Sequence, residues 1–235
     1  VWSAFEVVVV LIFSQLLVWF VLIRILWALP GGMSATMQPH EFVVLLTGTY
    51  IGAAVLTAIY VLNVMYPWQR VRAPEVGLTP TTWARTFGWG LSWMFALLLA
   101  VLLLGTVWVR LVHGEPLWHP VMEALAASPP GWAMVSLLLL GVVVAPLVEE
   151  AVFRGYVYPR FRTRLRAGFA MLLNGLVFAS LHASAVAFLP IVVLGIGLCA
   201  LYEKSGSVWP CVVCHGAFNA LQFATLLCAM AIAAA

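Results

Sequence analysis

The chain has 235 residues, of which 65% are hydrophobic and only 8% are charged, and its mean hydropathy is +1.10. These values lie far outside the range of soluble globular domains and predict a polytopic membrane protein. The formal net charge is +3, from 11 basic and 8 acidic residues, and nothing in the composition indicates a nucleic-acid-binding surface.

Most of the chain divides into apolar stretches near the length of about 20 residues that one membrane crossing needs. The stretches cover about residues 5–29, 41–66, 87–112, 132–158, 168–182, 187–203 and 208–230. Between the second and third stretches, residues 67–86 mix tryptophan, arginine and proline and predict a connector on the membrane surface. The predicted fold class is therefore all-α, a polytopic integral membrane helical bundle of about seven transmembrane helices, with six to eight as the range.

We expect residues 1–235 to form a single membrane domain, in which residues 1–112 hold the first three spans and the connector. The loop at residues 160–166 contains four arginines, so it should face the cytoplasm. Counting spans back from this loop places the N-terminus in the cytoplasm as well.

The fourth apolar stretch contains two adjacent carboxylates and an arginine. Glu150 and Arg154 are four residues apart and can pair along one helix face, whereas Glu149 is rotated by about 100° from Glu150. Ionisable groups at membrane depth usually face the interior of a bundle or a wet cavity. Glu149 is therefore predicted to be a base or a metal ligand. The alternative is a structural ion pair with Glu149 at an aqueous mouth.

Two later stretches add polar groups that could meet this site. His182 ends the fifth stretch, and His215 and Asn219 share a helix face in the seventh. A carboxylate and an imidazole can hold and deprotonate a water, while a second imidazole and an amide can donate hydrogen bonds to an oxyanion. Glu149, His182 and His215 would also form a common catalytic zinc set. The residue types fit both chemistries, so the predicted cofactor is either none or zinc.

The segment Cys211-x-x-Cys214-His215 matches the pattern for covalent haem attachment. It lies inside an apolar span, and His215 already belongs to the pair with Asn219, so we do not expect haem. All four cysteines occur in apolar stretches, which argues against a disulfide framework. Cys211 and Cys214 are predicted to be small apolar residues that pack on a helix face.

Three motifs in chain order resemble those of the CPBP family of intramembrane proteases, which includes the CAAX prenyl endopeptidases and bacteriocin-immunity-type proteins. The motifs are Glu149-Glu150-x-x-x-Arg154, Phe178-x-x-x-His182 and His215-x-x-x-Asn219. The resemblance covers about residues 130–230, which would form the catalytic core.

The resemblance implies a membrane-embedded endopeptidase whose site opens toward the cytoplasm. In this family pattern Glu149 and His182 would activate the water, and His215 and Asn219 would stabilise the oxyanion. Supporting roles would fall to Glu150, Arg154 and Phe178. The family has been described both as metalloproteases and as glutamate-type proteases, so the resemblance leaves the metal question open.

The resemblance also sets expectations about partners and location. The compact chain is similar to the bacterial branch, which implies a multi-pass protein of the bacterial inner membrane. Its partners would be a membrane-associated peptide or protein substrate, the lipid bilayer and other membrane subunits, with no nucleic acid. One alternative function is a non-catalytic subunit or scaffold that keeps the protease fold. Another is a transporter that uses the buried carboxylates as a proton relay.

Overall fold

The computed structural model describes residues 52, 81–111, 131–182 and 184–233. Apart from residue 52, the first two predicted spans lie outside the described residues, as do most of the connector at residues 67–86 and the loop between the third and fourth spans. The division of the chain at residue 112 stays a prediction.

The described residues form helices and contain no strand, which confirms the all-α class for this part of the chain. Helix α1 is Trp83–Leu111, α3 is Ala167–Ser180, α4 is Ala185–Ser205 and α5 is Val208–Ala233. Helix α2 is a run of five consecutive segments: Gly131–Leu139, Leu140–Val144, Ala145–Val152, Phe153–Val157 and Tyr158–Arg162. The predicted third to seventh stretches match α1 to α5 with ends that agree within about four residues.

Among the described residues, four helical segments are long and apolar enough to cross a membrane: Trp83–Leu111, Met134–Arg162, Val186–Ser205 and Val208–Ile232. Helix α3 has only 14 residues. At 1.5 Å per residue it spans about 21 Å, less than the hydrocarbon thickness of about 30 Å. The predicted fifth span is therefore a short apolar helix, and the count of about seven spans is not confirmed.

The second and fourth segments of α2, Leu140–Val144 and Phe153–Val157, are π-helical. At the end of each one, a backbone N–H bonds to the carbonyl five residues earlier: Ala145 to Leu140, and Tyr158 to Phe153. The next residue is a proline in both cases, and a proline has no N–H for the helix. Single π-helical turns are frequent at functional sites, and here they flank the segment Ala145–Val152 with the acidic pair.

Glycines bring α3, α4 and α1 into close contact. A Cβ at Gly195 would lie 2.8 Å from the Cα of Gly175, and a Cβ at Gly175 would lie 2.9 Å from the carbonyl oxygen of Val192. A Cβ at Gly197 would overlap the side chain of Leu97. Gly195 and Gly197 therefore permit close contact between the helices.

Replacing Gly175 with alanine should destabilise the protein by about 1–3 kcal/mol, because the new methyl group meets the backbone of α4 rather than a side chain that can move. At Gly168 of the same helix, nothing lies within 4 Å of the position that a methyl group would occupy, so Gly168→Ala is the matched control. It should be neutral or stabilise by up to about 1 kcal/mol. Unfolding in mixed detergent micelles measures both variants, and equal effects would contradict the close contact.

The end of α2 is joined to the end of α4 by polar side chains. Glu203 accepts hydrogen bonds from the Tyr158 hydroxyl at 2.7 Å and from Arg162 Nε at 2.5 Å. Arg162 Nη1 also donates to the carbonyl of Leu165 at 3.0 Å. This partly exposed cluster ties the turn between α2 and α3 to α4.

Candidate active site

Glu150 is fully buried and joins two helices. Its Oε1 accepts a hydrogen bond from Arg154 Nη1 at 2.9 Å and another from His215 Nδ1 of α5, also at 2.9 Å. The pairing of Glu150 with Arg154, predicted from their spacing, is confirmed. The contact with His215 was not predicted, because it joins residues 65 positions apart.

Arg154 connects α2 with α3 and α4. Its Nη2 donates to the carbonyl of Gly195 at 3.0 Å, and its guanidinium lies over the Phe178 ring, 4.8 Å from the centroid. Within the described part of the chain, two buried atoms of this pair have no hydrogen-bond partner: Glu150 Oε2 and Arg154 Nε. The ion pair is thus enclosed by protein rather than by solvent.

Glu149 lies on a different side of α2, as the helical rotation predicted. Its side chain is 18% exposed, and its Oε2 is 4.0 Å from His215 Nε2. The two ring nitrogens of His215 therefore face the two neighbouring glutamates. A separation of 4.0 Å is too long for a direct hydrogen bond, and it is a distance at which a bridging water has to be considered.

His182 lies two residues after the end of α3, and its ring is oriented by Phe178. Nδ1 of His182 is 2.8 Å from the Phe178 carbonyl. Because a carbonyl only accepts, this contact assigns the proton to Nδ1 and makes Nε2 the basic nitrogen of the neutral ring. The Phe178 ring contacts both imidazoles, with centroid distances of 4.7 Å to His182 and 5.9 Å to His215. The Phe178 ring thus packs against both His182 and His215.

Asn219 is anchored to α2 at the first π-helical segment. Its Nδ2 donates to the carbonyl oxygen of Gly141 at 2.8 Å. This contact also distinguishes the amide nitrogen from the amide oxygen, because the carbonyl can only accept. One Nδ2 hydrogen is used here, and the amide group has a second one that can donate elsewhere.

Asn174 is a buried polar residue that the sequence interpretation missed. Its Nδ2 donates to the carbonyl of Phe153 at 3.2 Å, and its Oδ1 accepts from Cys199 Sγ at 3.3 Å. It therefore holds the second π-helical segment of α2, next to Arg154. A signal was present: Asn174, Phe178 and His182 follow each other at intervals of four residues, which places the amide on the face of α3 that carries the motif.

Cys211 and Cys214 pack as predicted for small apolar residues. Cys199, Cys211 and Cys214 are buried free thiols, and Cys228 is exposed. Cys211 and Cys214 belong to the apolar cluster between α1, α4 and α5.

The predicted zinc set is Glu149, His182 and His215. Over the described ranges, no three His, Cys, Asp or Glu side chains are grouped so that they could hold a metal ion. His215 directs Nδ1 at Glu150 and Nε2 toward Glu149, an arrangement of hydrogen-bonding groups rather than of ligands around one point. The described residues therefore do not fit a three-ligand zinc site.

Comparison with known families connects this geometry to a class of proteins. Residues 130–221 match a family model described as type II CAAX prenyl endopeptidase, Rce1-like. No curated protein and no solved structure matches the chain. The matched segment contains all three motifs, together with helices long and apolar enough to cross a membrane. The predicted family resemblance is therefore confirmed: over residues 130–221, this integral membrane protein is similar to the type II CAAX prenyl endopeptidases.

Proposed function

We propose that this chain is an intramembrane endopeptidase that hydrolyses peptide bonds of membrane-associated peptides or proteins. The observation that carries the proposal is the position of His215 between two glutamates of one helix, Glu150 at 2.9 Å and Glu149 at 4.0 Å. A structural ion pair needs only Glu150 and Arg154. The additional carboxylate, partly exposed beside an imidazole, is what a water-activating site requires.

The reaction begins with a water held by the Glu149 carboxylate and by Nε2 of His182. Glu149 takes a proton from this water while the oxygen of the water attacks the scissile carbonyl. The proton then passes to the leaving amine, so the products are a carboxylic acid and an amine. No acyl-enzyme forms, since the attacking oxygen belongs to water.

The oxyanion of the tetrahedral intermediate is stabilised by His215 and Asn219. Asn219 donates with the Nδ2 hydrogen that Gly141 does not use. His215 is oriented by its Nδ1 hydrogen bond to Glu150, and it donates from Nε2 in the form that carries a proton on both ring nitrogens. Glu150 and Arg154 are supporting residues because they fix this ring, and Phe178 supports both imidazoles.

The four arginines at residues 160–166 lie at the end of α2 and in the turn that follows it. They support a cytoplasmic position for that turn and an N-terminus in the cytoplasm. The family name supports substrates that carry a CAAX-type C-terminus. The bacterial inner membrane and interactions with other membrane subunits are part of the same proposal and follow from the resemblance alone.

The function is tested with purified protein in liposomes and synthetic peptides that end in CAAX sequences, with and without a prenyl group. We expect endoproteolysis, with one ¹⁸O atom in the new carboxylate when the reaction runs in H₂¹⁸O. Mass spectrometry detects the label and shows that no peptide stays bound to the protein. Failure to cleave any substrate, together with co-purification in a fixed ratio with a larger assembly, would favour the scaffold alternative.

Chelation separates glutamate-type from metal-dependent hydrolysis. We expect cleavage to persist after treatment with EDTA or 1,10-phenanthroline, because the described residues do not form a three-ligand cluster. The control is a zinc protease in the same liposomes, which must lose activity. Loss of cleavage that returns when Zn²⁺ is added would instead assign the metal role to Glu149, His182 and His215.

A further inference from the structure

The first π-helical segment of α2 leaves one backbone carbonyl without its usual donor. In an α-helix the carbonyl of Gly141 would accept from the N–H of Ala145. Here that N–H bonds to Leu140 instead. The next N–H in line would belong to Pro146, and proline has none. The Gly141 carbonyl is therefore open to a donor from another helix, and it receives Asn219 Nδ2 at 2.8 Å.

Helix α5 is fitted closely to this segment. A Cβ at Gly216 would lie 2.5 Å from the carbonyl oxygen of Val142, and a Cβ at Gly141 would lie 2.6 Å from the Phe223 ring. Gly216, Asn219 and Phe223 are spaced by three and four residues, so they form one face of α5. Close contacts with α2 thus occur both before Asn219 on α5, at Gly216, and after it, at Phe223. They hold the Asn219 amide against α2.

We infer that Pro146 is a positioning residue for Asn219: by withholding a backbone N–H, it reserves the Gly141 carbonyl for the Asn219 amide. One Nδ2 hydrogen of Asn219 is then held in the hydrogen bond to the Gly141 carbonyl. This fixes the direction in which the second Nδ2 hydrogen can donate. This inference rests on the proposed function only for its consequence in catalysis. The positioning itself is a statement about hydrogen bonds and can be tested without turnover.

The test compares Pro146→Ala with the wild type in the full-length protein in liposomes. Alanine adds one N–H that can compete for the carbonyls of Gly141 and Val142. Complete loss of an oxyanion donor lowers kcat by about 10²–10³-fold. Pro146→Ala only displaces the Asn219 donor, so it should lower kcat by about 10–100-fold and leave KM nearly unchanged. The melting temperature should stay the same or rise, because a proline inside a helix is unfavourable. A purely structural role predicts the opposite, a parallel loss of stability and activity.

Two controls isolate the N–H. The α-hydroxy analogue of alanine at position 146 has the same side chain but an ester oxygen in place of the N–H, so it should restore kcat to within about threefold of the wild type. Pro190→Ala removes a proline from inside α4, away from the Asn219 contact, and should leave kcat unchanged. In an Asn219→Ala background, Pro146→Ala should change the residual rate by less than about twofold.

The amide signal of Asn219 gives a readout that is independent of activity. The chain has three asparagines, so ¹⁵N-asparagine labelling yields few side-chain signals, and Asn219→Ala assigns the relevant one. Pro146→Ala should shift this signal, and the ester analogue should return it. An unmoved signal, or an equal loss of kcat in the Asn219→Ala background, would overturn the inference. Wild-type activity of Asn219→Ala would instead refute the oxyanion role, while the signal would still decide the positioning.

Discussion

We expect Glu149→Gln to abolish peptide hydrolysis, with kcat lowered by about 10²–10⁴-fold or more. The variant protein should still insert into the membrane and fold. The amide keeps the size of the side chain and can still hold a water, but it cannot take the proton. Folding should be retained because Glu149 is partly exposed and the buried charge is carried by Glu150. Rates on a cleaved peptide in liposomes, with the melting temperature of the same samples, measure both effects.

Glu203→Gln is the matched control for the loss of a carboxylate. Glu203 is at the end of α4, where it binds Tyr158 and Arg162, and it has no role in the proposed reaction. This variant should hydrolyse the peptide at close to the wild-type rate. His182→Ala should resemble Glu149→Gln, because the same water loses its second contact. If Glu149→Gln cleaves as fast as the control, Glu149 is not the base and the arrangement beside His215 is structural.

Helical periodicity explains how much of this site could be predicted. The spacing of four residues predicted that Glu150 and Arg154 share one helix face, and that His215 and Asn219 share another. The structure confirms the ion pair between Glu150 and Arg154. Periodicity also separated Glu149 from Glu150, and the structure shows one carboxylate partly exposed and the other buried. These relations are local, so they follow from the sequence once a helix is assumed.

The contacts between helices could not be predicted in the same way. The family resemblance implies that Glu150 supports the site together with Arg154, but Glu150 also bonds directly to His215, and no local rule connects α2 with α5. Residues 168–182 were predicted to be a transmembrane span, but α3 has only 14 residues, and an apolar sequence alone does not distinguish such a short helix from a full crossing. The two π-helical segments have a sequence signal in Pro146 and Pro159, yet a proline alone predicts a kink or an end, not the hydrogen bonds that result.

The second large effect is expected at the buried ion pair. Arg154→Met should destabilise the protein by about 3–5 kcal/mol, because it leaves Glu150 as a buried charge without its counter-ion. Methionine fills much of the space beside Phe178 but supplies no donor to Glu150 or to the carbonyl of Gly195. Unfolding by SDS in mixed micelles measures the change in free energy.

A second substitution shows whether charge or packing causes the loss. In Glu150→Gln with Arg154→Met, the buried charge is gone while the side-chain oxygen can still accept from His215, so much of the stability should return. If packing were the cause, the double variant would be as unstable as the single one. Arg162→Met removes the arginine of the exposed pair with Glu203, and its effect should be far smaller because solvent screens that pair. A restored fold with low activity in the double variant would further show that Arg154 and Glu150 act by orienting His215, since the water-activating pair, Glu149 and His182, is unchanged.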